Sequence, residues 1–155
     1  MTRLVIVPKT EKLSGAFKVT IKVRSEHTSG VMSVVEETLP PKTLVPPHVH
    51  KNDVWVYVQS GEIGVLIGET IKSARKGQWA LKPRNIQHSM WNPGLVPAVV
   101  IEVLTPGGTE KWFEEITALK EGDSNGFDRA CEKHGIKFLP ESHWIVELKE
   151  RFGLI

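Results

Sequence analysis

For its first 108 residues the chain alternates short runs of strand formers with glycine and proline turns, and no helix-period segment breaks the pattern. The runs are "RLVIV" (3–7), "KVTIKVR" (18–24), "GVMSVVEETL" (30–39), "DVWVYVQ" (53–59), "EIGVLIG" (62–68), "QWALKP" (78–83) and "PAVVIEVL" (97–104). Between them stand "TSG", "LPPKTLVPP", "QSGE", "GE", "KG", "NPGLVP" and, at the end, "TPGGT". Many short, Val/Ile/aromatic-rich strands at regular spacing predict a sandwich or barrel. The lack of intervening helices excludes a βαβ fold. After "TPGG" the period changes. Thr109 is the expected N-cap of a helix carrying Trp112, Phe113, Ile116 and Leu119 on one face. A second helix is expected around Phe127, Ala130, Cys131 and His134, with Gly135 just past its end. Pro140 is expected to open a third, with Trp144, Leu148 and Phe152 on one side.

The whole is expected to be one domain, a barrel over about residues 1–108 with a helical extension over about 109–155. The extension is too short to build a core of its own. Cys131 is the only cysteine, so no internal disulfide exists, which fits a reducing cytoplasm. The apolar run near the N-terminus is too short for a signal-peptide core or a membrane span. Net charge is +2 with lysines and glutamates interspersed, so neither a nucleic acid nor a membrane is the expected partner. A small-molecule substrate is expected instead.

The chemistry concentrates in "PPHVHKNDVWVYVQSG" (46–61). Residues two apart on a strand share a face, so His48 and His50 can both aim inward, about 7 Å apart along the chain. Neutral imidazole is the commonest protein ligand for borderline divalent metals. The best third partner is His88 in "GQWALKPRNIQHSMWN", where a strand runs into Pro83, turns at "RNIQ" and resumes at the histidine. His27, His134 and His143 read as solvated or helix-end residues. On the residues alone, His48, His50 and His88 are either metal ligands or hydrogen-bonded structural histidines.

Both segments resemble the paired motifs of the cupin superfamily, small double-stranded β-helix (jelly-roll) barrels. The family's first motif, G-x5-H-x-H-x3–4-E-x6-G, is matched at His48, His50 and Gly61. Its second, G-x5-P-x-G-x2-H-x3-N, is matched at Gly77, Pro83, His88 and Asn92, with Asn85 for the middle glycine, a mild change because Asn tolerates left-handed turns. The likeness spans roughly residues 30–106, and "LTPGGTEKWFEEI" resembles the exit segment of quercetin-dioxygenase-like cupins. It implies an all-β jelly-roll barrel with a C-terminal helical extension. It also implies one divalent ion on His48, His50 and His88, iron(II) first, with zinc, nickel, manganese or cobalt as alternatives. Two positions depart from the pattern. The first motif's opening glycine falls on Lys42, in a loop, and the family's glutamate ligand falls on Val54. Asp53 is the candidate fourth ligand, which only a bulge would turn inward.

A three-imidazole site leaves the ion's charge near +2, a stronger Lewis acid that attracts an anionic or enolisable substrate. Three-histidine iron sites occur in diketone-cleaving cupin dioxygenases, so the resemblance implies a mononuclear dioxygenase acting on a small enolic, phenolic or diketone-like compound. The alternatives are a non-redox isomerase, cyclase or lyase, and a binding barrel without catalysis. Glu102, in the otherwise apolar "VVIEVL", is either an outward residue, solvated or paired with a lysine of the tail, or a cavity residue that serves as the acid/base or fixes a ligand histidine. Trp79, Met90, Trp91 and Val54 are the expected lining of the substrate pocket. A homodimer is expected, formed through exposed sheet edges or through "RLVIV".

Overall fold

The computed structural model describes residues 9–12 and 18–155. In chain order these form β1 (Lys9–Lys12), β2 (Lys18–Val23), a 3-10 turn (Ser25–Thr28), β3 (Ser33–Leu39), β4 (Leu44–Val49), β5 (Asp53–Ser60), β6 (Glu62–Ile67), β7 (Thr70–Arg75), β8 (Trp79–Lys82), β9 (His88–Trp91) and β10 (Ala98–Thr105). The tail adds α1 (Glu110–Thr117), α2 (Ser124–His134), β11 (Lys137–Phe138) and α3 (His143–Phe152). Two antiparallel sheets result, ordered β1-β2-β3-β10-β5-β8 and β11-β4-β9-β6-β7. This is the jelly-roll barrel with a helical extension that the motif likeness implies, and one of the two architectures, sandwich or barrel, that the strand pattern predicts. The strand expected at "RLVIV", and the dimer edge placed there, lie outside the described residues.

The alternation of side chains decides what faces the barrel interior. On β3, Ser33, Val35, Glu37 and Leu39 are buried, and on β10 Ala98, Val100, Glu102 and Leu104. On β5 the buried set is Val54, Val56 and Val58. The register sets Glu37 and Val58 on either side of Val100, and Val54 beside both Leu104 and Lys82. Two carboxylates and one ammonium therefore sit on the inward face of the first sheet among valines and leucines.

The second sheet is covered on both faces, and all four residues of β9 are buried. Met90 points into the main core with Val65 and Val45, while Trp91 packs on the other side with Leu66, Ile145 and Leu148. Gly64, opposite Trp91 in the register, makes room for the indole, since a Cβ there would lie 2.0 Å from its Cε2. Gly64→Ala should therefore destabilise the protein by about 3 kcal/mol through overpacking, read as a shifted urea midpoint. Combining it with Trp91→Ala should cost less than the two single losses added together.

The tail has two jobs. Trp112, Phe113, Ala130, Cys131 and Ile136 join the main core, so α1, α2 and β11 close one end of the barrel. α3 instead covers the outer face of the second sheet through Ile145, Leu148 and Phe152. Gly135 caps α2 in the left-handed conformation, as the sequence predicts. Thr109 occupies the N-cap of α1 but makes no side-chain cap. Glu110 takes over, its carboxylate accepting from the backbone N–H groups of Ser25 and Gly108 at 2.7 and 2.8 Å. α3 opens after Ser142 rather than at Pro140, because Lys137 and Phe138 are drawn into pairing with β4 and the chain stays extended beyond them.

A candidate metal centre and its cavity

His48 on β4 lies directly across from His88 on β9, and His50 follows at the end of β4. Each ring is fixed by the same contact. The Nδ1 atoms of His48, His50 and His88 stand 2.8 Å from the carbonyl oxygens of Pro46, Asn52 and Ile86. A carbonyl only accepts, so each Nδ1 carries the proton and each Nε2 presents a bare lone pair. The Nε2 atoms of His48 and His88 are 3.1 Å apart, with no proton between them to share. Across the cluster, one ligand atom from each of the three residues lies within 4.8 Å of the others.

Facing lone pairs repel unless a cation stands between them. Two nitrogens bound to one ion at about 2.1 Å stand roughly 3.0–3.4 Å apart in ordinary coordination geometries. The spacing of His48 and His88 therefore fits a shared divalent ion. Burial, helped by the charge of Lys82, pushes the His48 imidazolium down to about 3 and that of His50 to about 4, and His88 is lowered by the same two causes. The rings are thus neutral, as ligands must be.

Val54 is buried and faces the cavity, so the residue at the family's carboxylate position offers no ligand atom. Asp53 does not join the cluster. Its carboxylate accepts from the Arg84 backbone N–H at 2.8 Å and from the guanidinium at 2.7 and 3.0 Å, on the opposite face of β5. No bulge turns it inward, since Asp53 and Val54 pair in regular register with Thr105 and Leu104. Asn85 adopts the left-handed conformation (φ 60°), the geometry for which the motif carries glycine. Lys42 does the same (φ 59°) at the first motif's glycine position, and its ammonium donates to the carbonyls of Pro93 and Phe152.

A carboxylate reappears one strand over. Glu102 is 3% exposed and turned inward, where it pairs with Lys82, itself 4% exposed, at 2.5 Å. The solvated placement, or a partner from the helical tail, is thereby corrected: the apolar neighbours of β10 set its face, and the cation is a barrel lysine. Glu37 is the second buried carboxylate of this wall. Burial, reinforced by the charge of Glu102, pushes its pKa up to about 8 against the opposing pull of Lys82. The folded protein therefore holds a proton that the unfolded chain releases as pH climbs from 4.5 to 8, and stability falls over that window. Glu37→Gln removes this dependence. It should stabilise the protein by roughly 1–3 kcal/mol at pH 8 and leave stability at pH 4.5 nearly unchanged, as urea unfolding at the two pH values would show.

Imidazoles and carboxylates line one cavity of about 950 Å³. Val54 and Met90 belong to its wall, as expected. Two expected lining residues do not. Trp79 is 56% exposed on the outer face of β8, opposite in alternation to Lys82, and stacks on Tyr57. Trp91 is buried, but on the far side of the second sheet beneath α3. The aromatic wall comes instead from the tail, through Trp112, Phe113, Phe127 and Phe138. Phe138 lies across from His48 in the β11–β4 register, its ring 5.3 Å away. Sequence reasoning missed this wall, and also Lys82 and Glu37. The signal for the charged pair was parity, since Lys82 shares the face of Ala80, and Glu37 that of Val35 and Leu39.

The other histidines stay apart from the cluster. His27 accepts from the Arg24 backbone N–H, His134 sits 2.9 Å from Glu115 at the end of α2, and His143 stacks on Trp144 at the start of α3.

Residues 35–104 match the family model described as a cupin domain. Among solved structures, an RmlC-like cupin from Shewanella frigidimarina aligns with a TM-score of 0.58 at 17% identity, covering 67% of this chain and 88% of that one. KdgF from Halomonas sp. aligns at 0.57 and 15% identity, covering 66% and 90%. The polyketide cyclase RemF from Streptomyces resistomycificus aligns at 0.58 and 17% identity, covering 68% and 80%. No curated protein matches the sequence. No helix among the described residues is long and apolar enough to cross a membrane. The family match over residues 35–104, the shared fold and the paired histidine segments make the barrel of this chain similar to cupin domains.

Proposed function

We propose that the protein is a mononuclear metal-dependent enzyme acting on a small enolic, phenolic or diketone-like compound, with dioxygenase chemistry as the first reading. The observation that carries it is the convergence of three neutral Nε2 atoms beside a cavity that His48 and His50 line together with a buried carboxylate. A divalent ion on His48, His50 and His88 supplies Lewis acidity toward the substrate's oxygens and, as iron(II), electrons for dioxygen.

The chain's own residues do the rest. The backbone carbonyls of Pro46, Asn52 and Ile86 hold the three rings in the ligating tautomer. With no carboxylate ligand, the centre keeps its positive charge for an anionic substrate oxygen. Glu102 accepts the proton the substrate gives up, and Lys82 holds that carboxylate in place. Trp112, Phe127 and Phe138 exclude water and receive the substrate's apolar or aromatic body.

One observation favours a second, non-redox reading as an isomerase, cyclase or lyase. Glu37, protonated at neutral pH, lines the same cavity as the carboxylate of Glu102, an acid beside a base. One of the aligned structures is a polyketide cyclase. The test is oxygen uptake by iron(II)-loaded protein with flavonols, catechols and β-diketones, run in parallel under nitrogen with zinc- or nickel-loaded protein. Oxygen consumption matched to product supports the first reading, and turnover under nitrogen the second. Inertness in both arms would refute both.

A further inference from the structure

Two inward carboxylates share one buried lysine. Glu37 on β3 and Glu102 on β10 are diagonal neighbours on the same face of the first sheet, since Glu37 lies opposite Val100 and Glu102 opposite Val35. Glu102 takes Lys82 as its ion-pair partner. Glu37 is 6% exposed, and among the described residues no cation is within ion-pair distance of it. β2, on its other side, turns Val19 and Ile21 inward, and its own strand adds Val35 and Leu39. The charged groups acting on Glu37 are therefore Glu102 and Lys82, and His50 is the neighbouring titratable group that feels Glu102. An unpaired carboxylate in such surroundings is stable only with a proton on it. Both glutamates line the same cavity as His48 and His50.

We propose that Glu37 and Glu102 form a paired proton donor and acceptor that enolises a keto-form substrate held at the imidazole floor of the cavity. This rests on the metal-site reading above and narrows its substrate class to anionic carbon acids with an aromatic body, such as aryl α-keto acids. The step balances without an oxidant. The carboxylate of Glu102 takes the proton from the carbon beside the carbonyl, and the electron pair of that C–H bond becomes the C=C bond. The carbonyl π pair moves to oxygen, which takes the proton of Glu37. Proton transfer from Glu102 back to Glu37, directly or through water, resets the pair. The same step precedes either outcome considered above, since both begin from an enol or enolate.

The test uses zinc-loaded full-length protein under nitrogen, with phenylpyruvate as the probe and deuterium exchange at its benzylic carbon followed by NMR in D₂O. Wild-type protein should accelerate exchange well beyond free zinc, and Glu37→Gln should lower the rate about 100-fold at unchanged zinc content. Glu37→Asp, which keeps the acid, should recover part of the loss. The wild-type rate should fall as pH rises past about 8, and Glu37→Gln should lack that fall. Independently of any probe, infrared spectra at pH 7 should show a protonated-carboxyl band in wild type that is missing in Glu37→Gln. Exchange by Glu37→Gln at the wild-type rate, no exchange by zinc-replete wild type, or no such infrared band would each overturn the relay while leaving the metal site standing. Failure to retain zinc at all would instead remove the metal-site reading beneath it.

Discussion

Replacing His88 with alanine is expected to remove the bound ion and all turnover together while leaving the fold in place. His88 is fully buried, sits across from His48 in the β4–β9 register, and is held in the ligating tautomer by the Ile86 carbonyl. Losing one of three ligands should weaken binding by more than the 10–100-fold typical of losing a supporting hydrogen bond to a ligand. The ion should therefore wash out on desalting. The ring's removal leaves a cavity and frees the Ile86 carbonyl, together worth about 1–3 kcal/mol. In ion-free protein this cost is softened, because the bare Nε2 of His48 no longer faces another lone pair. Metal analysis and circular dichroism on the same sample check it. An unchanged spectrum with no metal is the expected result, and a variant that keeps stoichiometric metal would take His88 out of the centre.

The second large effect is expected at Glu102. Glu102→Gln should keep the ion, since the three rings are oriented through Nδ1 by backbone carbonyls and not by this residue, and lower turnover by at least 100-fold through loss of the proton acceptor. It also strips Lys82 of its counter-charge in a site only 4% exposed, so stability should drop by about 3 kcal/mol. The two consequences separate in a double variant. Lys82→Met with Glu102→Gln removes the stranded charge and should recover most of the stability, but none of the activity. Recovery of activity alongside stability would mean that Glu102 serves only to neutralise Lys82.

The strand pattern carried the barrel because Val, Ile and aromatic runs between glycine and proline turns leave few other folds. β4 and β7 were harder to see for opposite reasons. β4 contains Pro46 and Pro47, which look like turn residues, and the inward face of β7 is marked by little beyond Ala74. Spacing put His48 and His50 on one strand face and made His88 their best partner, and the motif likeness turned that grouping into a ligand set; in the structure His88 lies opposite His48, after a turn whose left-handed residue is Asn85. The aromatic wall was not. Trp79 and Trp91 lie within the motifs, yet alternation turns both away from the cavity, while Trp112, Phe127 and Phe138 reach it from the tail by tertiary packing that local sequence does not encode. Lys82 and Glu37 were hidden by the ordinary rule that charged residues face water. Their strand parity contradicted that rule, and parity prevailed because the neighbouring apolar residues fix which face of each strand turns inward.

The most direct test of the central claim is metal analysis combined with X-ray absorption at the metal edge of the reconstituted protein. The account predicts one divalent ion per chain, with three imidazole nitrogens at about 2.0–2.2 Å and the remaining positions filled by light-atom ligands other than protein carboxylate. Failure to retain iron, zinc, nickel, manganese or cobalt after reconstitution would contradict it, as would a coordination shell with fewer than three imidazoles.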